Sequence, residues 1–211
     1  MPRNIEIKAR IESVESLAPL VARIADEGPT EIFQDDTFFA CREGRLKLRT
    51  FSEHDGQLIF YQRSDSAGPK ESYYVISPTS SPATLRQALS LAYGVVGRVL
   101  KRRTLFMVGR TRVHLDQVEG LGDFLELEVV LAEGEQPTAG MAVANELLGK
   151  LAIPQSQLID KAYVDMLPPN MSDTSVSSAT PEAPKPLMPC RSALAQEGMI
   201  RLDSNLEGEQ V

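Results

Sequence analysis

The feature that most constrains the fold of this chain is a strict alternation of apolar and charged residues that recurs along it. From Asn4 to Ile11 every second residue is polar or charged, and the residues between them are isoleucine or alanine. Successive side chains of a β-strand point to opposite faces, so this period of two predicts a strand with one apolar and one charged face. Further strands are predicted at residues 31–40, 45–51, 58–63, 71–77, 95–108, 111–118 and 124–131. Short turns separate most of them, which favours a largely antiparallel sheet of seven or eight strands.

The charged faces of these strands are sorted by sign rather than mixed. The basic residues are Arg45, Lys47, Arg49, Arg63, Lys70, Lys101, Arg103 and Arg112, and the carboxylates are Glu6, Glu126 and Glu128. Like charges two residues apart on one face repel each other unless something neutralises them. An open sheet with a solvated charged face is one interpretation. The recurrence in at least five segments favours a sheet that closes into a barrel or tunnel with the charged faces inside.

A tunnel with a basic wall and an acidic wall needs an anion for the first and a cation for the second. A polyphosphate together with Mg²⁺ or Mn²⁺ supplies both, because these cations prefer oxygen ligands and bridge phosphate oxygens. His114 is predicted to share a face with Arg112 and Asp116, so it is a candidate for a place in the tunnel, with a purely structural role as the alternative. Tyr61 and Tyr74 are interpreted as packing groups that line it.

Helical patterns occur at the start, middle and end of the same region. Apolar residues at helical spacing predict a helix over residues 12–27, stopped by Gly28 and Pro29. A second helix is predicted over 81–93, where Ser81 is a plausible N-cap and Pro82 occupies the first position. Two more helices are predicted near 138–151 and 155–167. The combination of strands and peripheral helices indicates an α+β fold.

The chain divides by composition into a domain, residues 1–168, and a tail, residues 169–211. The tail begins with a stretch rich in Pro, Ser and Thr that has few large apolar residues. Such a segment cannot bury enough surface to offset its loss of conformational entropy, so the tail is predicted to be disordered.

The whole-chain properties exclude several classes of protein. A formal net charge of −7 on 211 residues argues against a general nucleic-acid or membrane-surface binder, and no apolar run is long enough to span a bilayer. The N-terminus has no signal-peptide core, and Cys41 and Cys190 suggest neither a zinc site nor a disulfide framework, so a reducing, cytoplasmic location is expected. A homodimer is left open.

Several segments, taken in order, resemble the CYTH superfamily, which is named for class IV adenylate cyclases and thiamine triphosphatases. NIEIK at residues 4–8 is similar to the ExExK signature of that family. It is followed by QDDTFF at 34–39, GRLKLR at 44–49, YQRSDSAGPKESYY at 61–74, KRR at 101–103 and HLDQVEGLGDFLELE at 114–128. The last segment and the GPKxSxY pattern look most like the class IV adenylate cyclase-like branch. The resemblance covers roughly residues 4–167.

The resemblance implies a closed antiparallel β-tunnel of eight strands with helices packed outside, and it implies roles for particular residues. The metal would be held by Glu6, Glu126 and Glu128, with Asp116 as a further metal candidate and Asp36 as a candidate for a metal or positioning role. The triphosphate would be bound by Lys8, Lys47, Arg49, Arg63, Lys70, Lys101, Arg103 and Arg112, of which Lys8 and Arg63 are the catalytic candidates. Asn4 departs from the signature, which has a glutamate there, and leaves the number of metal ions open.

Three functions follow from this resemblance. The favoured one is an adenylate cyclase-like conversion of ATP to cyclic AMP and pyrophosphate. The second is hydrolysis of thiamine triphosphate, a nucleoside triphosphate or inorganic tripolyphosphate by the same cations and metal. The third is a module that binds a triphosphate or polyphosphate without turnover, which the loss of a carboxylate at Asn4 would suit.

Overall fold

A computed structural model describes residues 3–63 and 70–168 of the chain. The side chains of Arg63 and Lys70, at the edges of the gap, are not among those described. The predicted tail, residues 169–211, also lies outside the described residues. Within the described part, no helix has both the length and the apolar character needed to cross a bilayer.

The described residues form nine strands and four α-helices. The strands are β1 (Arg3–Arg10), β2 (Glu27–Phe39), β3 (Arg45–Ser52), β4 (Asp55–Arg63), β5 (Lys70–Thr79), β6 (Val95–Val108), β7 (Thr111–Val118), β8 (Gly122–Val130) and β9 (Leu158–Ile159). The helices are α1 (Val14–Ala22), α2 (Pro82–Tyr93), α3 (Pro137–Lys150) and α4 (Tyr163–Met166).

Eight of the strands close into a barrel. Hydrogen-bonded neighbours follow the order β5-β4-β3-β2-β6-β7-β8-β1, and an additional pairing between β5 and β1 joins the two ends. Every pairing is antiparallel. The predicted α+β fold, a closed antiparallel eight-stranded tunnel with helices outside, is confirmed.

The apolar faces of the strands lie outside the barrel, where they form the main hydrophobic core. On β1 the residues Ile5, Ile7 and Ala9 are at most 1% exposed, and they pack with the outward residues of β7 and β8. Helices α1 and α3 cover this surface with their own apolar residues, which include Val21 and Leu147. The alternation seen in the sequence therefore directs the charged residues of β1, β7 and β8 into the barrel.

Helix α2 covers the opposite side of the barrel through polar contacts. Arg86 of α2 donates a 2.7 Å hydrogen bond to Asp35 of β2, and Arg98 of β6 binds the same carboxylate at 2.8 Å. Together the two guanidinium groups lower the pKa of Asp35, although burial by itself would raise it. Among the residues of α2, only Pro82 is buried.

The predicted helix over residues 155–167 is wrong. Residues Gln155–Gln157 form a single 3-10 turn, Leu158 and Ile159 form β9, and only Tyr163–Met166 are α-helical. β5 pairs with β1 only over residues 3–6, so the same edge of β1 would be unpaired beyond that point. β9 pairs with Lys8 and Ala9 of this edge. Unpaired backbone N–H and C=O groups at a buried strand edge destabilise a fold. The pairing of β9 with β1 therefore outweighs the local helical pattern of residues 155–167.

The predicted helix over residues 12–27 is also too long. Helix α1 ends at Ala22, and the segment that begins at Glu27 already belongs to β2. Gly28 has a φ of +106°, and a Cβ there would lie 2.7 Å from the backbone oxygen of Leu105. This position therefore requires glycine, and it lets β2 run close against β6.

Candidate functional site

The barrel encloses a cavity with a volume of about 330 Å³. The predicted site residues that line it are Glu6, Lys8, Asp36, Lys47, Arg49, Lys101, Arg103, Arg112, His114, Glu126 and Glu128. Arg63 and Lys70 are placed only by their backbone register, Arg63 opposite Ser72 and Lys70 opposite Glu6. The structure thus brings most of the predicted residues to one cavity, although they come from six different strands.

One end of the cavity is closed by apolar side chains, and this is called the closed end below. It consists of Phe38, Val99, Val118, Phe124, Ala162, Tyr163 and Val164. The ring of Tyr163 packs against that of Phe124, with 4.9 Å between the ring centroids. Gly97 lets α4 approach, because a Cβ at that position would lie 2.7 Å from a methyl group of Val164. Arg45 and Asp165 form an ion pair that ties α4 to β3.

Three lysines surround the closed end. The Nζ atom of Lys8 lies 4.2 Å from the centroid of the Tyr163 ring, and that of Lys101 lies 5.2 Å from it. The Nζ atom of Lys47 lies 5.6 Å from the centroids of both Phe38 and Tyr61. Aromatic faces attract ammonium groups, so the rings hold these lysines in place without neutralising them.

The environment of Lys47 and Lys101 lowers the pKa of both ammonium groups. Burial, followed by the neighbouring charge of Arg103, lowers the pKa of Lys101 to about 7. Burial and the charge of Arg49 likewise lower the pKa of Lys47. A phosphate placed among them would restore the favourable environment of the ammonium form, so the closed end is prepared for an anion.

Two buried aspartates hold the cations in position. Asp36 accepts two hydrogen bonds of 2.7 Å from Arg49 and one of 2.9 Å from Lys47. Burial by itself would raise the pKa of Asp36, but these two cations hold it well below its usual range. Asp36 is therefore ionised at neutral pH, and it orients Lys47 and Arg49 toward the cavity.

Asp116 occupies the corresponding position on the other side. It accepts hydrogen bonds of 2.6 and 2.7 Å from Arg103, one of 3.2 Å from Lys101 and one of 3.0 Å from the hydroxyl group of Tyr163. Its side chain is fully buried. Both oxygens thus already accept from cationic or hydroxyl donors, and the structure places Asp116 behind Lys101 and Arg103 instead of beside Glu128.

A compact group of potential metal ligands lies further from the closed end. It consists of His114, Glu126 and Glu128, whose ligand atoms all lie within 4.8 Å of one another. Along β8 the order Phe124, Glu126, Glu128 leads away from the closed end, and His114 on β7 lies directly opposite Glu126. These three residues are called the carboxylate–imidazole group below.

The predicted ligands Glu6 and Asp116 lie outside this group. Glu6 is opposite Glu128 in the β1–β8 register, and one of its oxygens lies 3.6 Å from Lys8 Nζ. Lys8 is closer to Glu126, at 2.9 Å. Lys8 and Arg103 hold the pKa of Glu126 well below its usual range, although burial alone would raise it. Glu126 is therefore a carboxylate at neutral pH.

His114 and Asn4 supply further groups that could bind a metal. Burial and the charge of Arg103 lower the pKa of His114, so its imidazole is neutral at pH 7. Among the described residues, His114 Nδ1 and Asn4 Oδ1 are both buried without a hydrogen-bond partner. Two carboxylates, a neutral imidazole and a buried amide oxygen are a donor set that fits a divalent metal ion.

Apolar side chains surround the opposite opening of the cavity, which is called the mouth below. The mouth consists of Ile32, Tyr74, Ile76 and Leu105, all of which line the cavity. Ile76 is nevertheless 44% exposed, so the cavity opens to solvent here. The mouth can accept the apolar faces of a base or another organic group, while the charged interior accepts phosphates.

Sequence reasoning missed Tyr163 completely. The residue lies in a segment predicted to be an ordinary helix, and nothing in its neighbourhood marks it as functional. It closes the cavity and donates a hydrogen bond to Asp116. Burial, followed by the charge of Asp116, raises the pKa of its hydroxyl group well above the ordinary value, so the hydroxyl stays a donor.

Known proteins have similar sequences or similar folds. The adenylate cyclase CyaB of Aeromonas hydrophila is 25% identical over 168 residues, which cover 76% of this chain and 86% of that protein. The PH1012 protein of Pyrococcus horikoshii has a similar fold, with a TM-score of 0.71, 21% identity and coverage of 78% of this chain and 99% of that one. HpAC1 of Hippeastrum, described as having a dominant triphosphatase activity, has a TM-score of 0.53 and 14% identity, with coverage of 77% and 91%.

The family model described as the CYTH domain matches residues 2–163. This range contains all eight strands of the barrel and every residue of the carboxylate–imidazole group. The resemblance inferred from the sequence is confirmed, and the chain belongs to the CYTH domain family.

Proposed function

We propose that this protein is a divalent-metal-dependent enzyme that acts on the phosphate chain of a nucleoside triphosphate and converts ATP to cyclic AMP and pyrophosphate. The observation that carries the proposal is the order of groups along the cavity. Lysines lie at the closed end, the carboxylate–imidazole group follows, and the apolar mouth comes last.

This order favours one orientation of the substrate. The terminal phosphates carry most of the charge and belong with Lys8, Lys47 and Lys101 at the closed end. The nucleoside cannot pass the apolar closure around Tyr163, so it stays at the mouth. The α-phosphate then lies beside the carboxylate–imidazole group, between the two ends. In cyclisation the ribose 3′-hydroxyl attacks the α-phosphorus and loses its proton to solvent, while the bond from that phosphorus to the oxygen shared with the β-phosphate breaks. This orientation leaves the departing pyrophosphate among the cations.

Glu126, Glu128 and His114 would hold the metal, which when bound would neutralise negative charge on the phosphate oxygens and make the phosphorus more susceptible to attack. Glu6 lies beside this group and is a further ligand candidate. We assign Asp116 to the positioning of Lys101 and Arg103, because its oxygens already accept hydrogen bonds from both.

The cations would stabilise the leaving pyrophosphate. Arg49 and Arg103 are both fixed by bidentate hydrogen bonds to aspartates, so their remaining N–H groups are held in place before the reaction. Lys8, between Glu126 and Tyr163, serves as a phosphate clamp. Arg63 stays a catalytic candidate on the resemblance and on its register opposite Ser72.

Hydrolysis of the terminal phosphate is the second candidate function. The three lysines at the closed end favour it, because they would surround the terminal phosphate and stabilise its charge during attack by water. A structural neighbour described as having a dominant triphosphatase activity points the same way.

Product analysis tests the proposal directly. The purified protein is incubated with ATP and Mg²⁺ or Mn²⁺, and the products are separated by chromatography. Cyclic AMP with pyrophosphate is the expected result. ADP with phosphate would instead make the protein a triphosphatase, and parallel incubations with thiamine triphosphate and tripolyphosphate would then rank the substrates. Binding of ATP without any turnover would overturn both reactions and leave a binding module.

A matched pair of variants tests the orientation of the substrate. Ile76→Ser makes the mouth more polar. Val75→Ser is the control, because Val75 is the preceding residue of β5 and its side chain points to the outer face of the barrel. Both side chains are exposed to a similar degree, 44% and 49%. Ile76→Ser should raise the KM for ATP several-fold and leave tripolyphosphate binding unchanged, and Val75→Ser should affect neither. Equal effects on both ligands would place the nucleoside elsewhere.

A further inference from the structure

In each of the two glutamates of the carboxylate–imidazole group, the two carboxylate oxygens have different neighbours. Oε2 of Glu126 lies 2.9 Å from Lys8 Nζ, and Oε2 of Glu128 accepts a 2.8 Å hydrogen bond from Arg112. The Oε1 atoms lie 3.6 and 3.8 Å from His114 Nδ1. One oxygen of each carboxylate thus pairs with a cation, and the other faces the imidazole nitrogen. Oε1 of Glu126 also accepts a 3.3 Å hydrogen bond from Arg103.

His114 Nδ1 is left without a partner by this arrangement. The side chain is only 5% exposed, and Nδ1 has no hydrogen bond within the described residues. A separation of 3.6 Å to Glu126 is too long for a hydrogen bond. A buried polar atom without a partner is destabilising, so such an atom in a cavity is a candidate to bind a ligand or water.

One nitrogen and two carboxylate oxygens on one side of a cavity form an incomplete coordination shell. All three residues line the cavity, so a metal ion held by them would border the space that a phosphate chain would occupy. Asn4 lines the same cavity with a buried oxygen that has no hydrogen-bond partner among the residues the structure describes, and it is uncharged where the family signature has a glutamate. The site therefore combines an imidazole with a reduced number of carboxylates.

We propose that His114 ligates the metal ion through Nδ1 and that this ligand makes the site prefer Mn²⁺ to Mg²⁺. Mg²⁺ requires oxygen ligands in near-ideal octahedral geometry and gives up its water reluctantly. Imidazole nitrogen suits transition-metal ions, whose affinity for mixed nitrogen and oxygen sites rises from Mn²⁺ to Cu²⁺. The uncharged Asn4 weakens the electrostatic attraction on which Mg²⁺ depends most. The inference rests on the metal dependence of the proposed function and names the determinant of metal choice.

The first test measures coordination without any turnover. Mn²⁺ is added to the full-length protein in the absence of nucleotide, and pulsed electron paramagnetic resonance records the coupling of the metal to ¹⁴N. A directly coordinated imidazole nitrogen is expected in the native protein and should be absent in His114→Asn. The chain has two histidines, and the other, His54, lies in an exposed turn. His54→Asn is therefore the matched control and should keep the signal.

The second test measures selectivity by competition between Mn²⁺ and Mg²⁺. His114→Asn should reduce the ratio of Mn²⁺ to Mg²⁺ affinity by about tenfold, because the lost ligand matters more to the transition metal. His114→Asp, which replaces the nitrogen with an oxygen ligand, should lower the same ratio by strengthening Mg²⁺ binding. Thermal melts show whether each variant is folded, and the native spectrum is informative even if a variant is not.

The outcomes separate this inference from the proposed function. Mn²⁺ that binds without ¹⁴N coupling, or with an unchanged affinity ratio in folded His114→Asn, overturns the role of His114 whatever the protein does with ATP. Failure of the native protein to bind Mn²⁺ also overturns it. A nitrogen-coordinated Mn²⁺ in a protein that turns over no triphosphate supports the inference and instead defeats the proposed reaction.

Discussion

The two halves of the barrel carry similar groups inside but are supported differently outside. The first half consists of β6, β7, β8 and β1, and the second consists of β2, β3, β4 and β5. Each half holds one buried aspartate that binds an arginine through two hydrogen bonds and a lysine through one. These units are Asp116 with Arg103 and Lys101 in the first half, and Asp36 with Arg49 and Lys47 in the second.

The outer surfaces of the halves differ sharply. The first half is covered by α1 and α3, and its outward residues Ile5, Leu115 and Leu127 are completely buried. In the described part of the chain, α2 is the helix that packs along the second half, and Phe33 and Val75 on its outer face are 59% and 49% exposed. Below, the first half is called the supported half, and the second is called the thinly covered half.

The difference indicates how the two kinds of ligand are held. The carboxylate–imidazole group belongs entirely to the supported half, on β7 and β8. A metal tolerates little error in the positions of its ligands, so these residues benefit from a densely packed backing. A flexible phosphate chain tolerates larger errors in the positions of the groups that bind it. Cations held by an aspartate are therefore sufficient to bind it in the thinly covered half.

The largest expected effect comes from the ligands in the supported half. Glu126→Gln and Glu128→Gln should each lower metal-dependent kcat/KM by about 100-fold or more, because they remove a charged ligand while keeping the shape of the side chain. The measurement is steady-state kinetics at fixed Mn²⁺, with circular dichroism to show that the fold is retained. Glu146→Gln, on the exposed surface of α3, is the control. Near-native activity of both variants would show that the catalytic metal is not bound by Glu126 and Glu128 in this half.

A pair of core substitutions tests the difference in support itself. Leu127→Ala, at a fully buried position behind the metal ligands, should lower the free energy of unfolding by about 2–5 kcal/mol. Leu89→Ala on α2, which is half-buried, should lower it by under about 1 kcal/mol. Urea unfolding measures both. Equal losses would show that the two halves are equally well packed.

Lys101 makes triphosphate binding dependent on pH. Its pKa in the free protein is about 7, and bound phosphate favours the ammonium form, so binding takes up a proton. Above pH 7 the free amine is neutral, and affinity for tripolyphosphate should fall by up to about tenfold per pH unit. Calorimetry between pH 6 and 9, in buffers of different ionisation enthalpy, measures this uptake.

Two variants identify the group responsible. Lys101→Arg keeps its charge over this range and should flatten the pH dependence, whereas Lys150→Arg on the surface of α3 should not. The pKa of Lys47, in the thinly covered half, is lowered in the same direction by burial and by the charge of Arg49. A pH profile that is identical in the native protein and in Lys101→Arg would refute the assignment.

The smallest expected effect is at Asn4. Asn4→Glu restores a carboxylate beside Glu6 and should tighten Mn²⁺ binding several-fold, since an added charge near a dication is worth about 1 kcal/mol in a partly shielded site. Asn4→Gln lengthens the side chain without the charge and is the control. Direct Mn²⁺ titration compares the three proteins. Superimposed curves would mean that residue 4 does not reach the metal.

Much of the cavity could be predicted from the alternation of residues. Lys47 and Arg49, two residues apart on β3, were predicted to share the inner face, and both line the cavity. Asn4 was predicted to lie on the same face as Glu6, and it does. The predictions that were wrong concern residues whose structure depends on distant partners, such as Leu158, which pairs with β1 instead of continuing a helix.

The sequence by itself determined which side chains face inward, because a period of two follows from the geometry of a single strand. Only the tertiary structure decided which of those side chains meet. The pairing of β1 with β5, which closes the ring, and the position of His114 opposite Glu126 depend on the register between strands. The position of Asp116 also depends on this register, which places it where it accepts hydrogen bonds from Arg103 and Tyr163 and does not place it beside Glu128. Register results from the summed pairing and packing of the whole barrel, so no local pattern in the sequence specifies it.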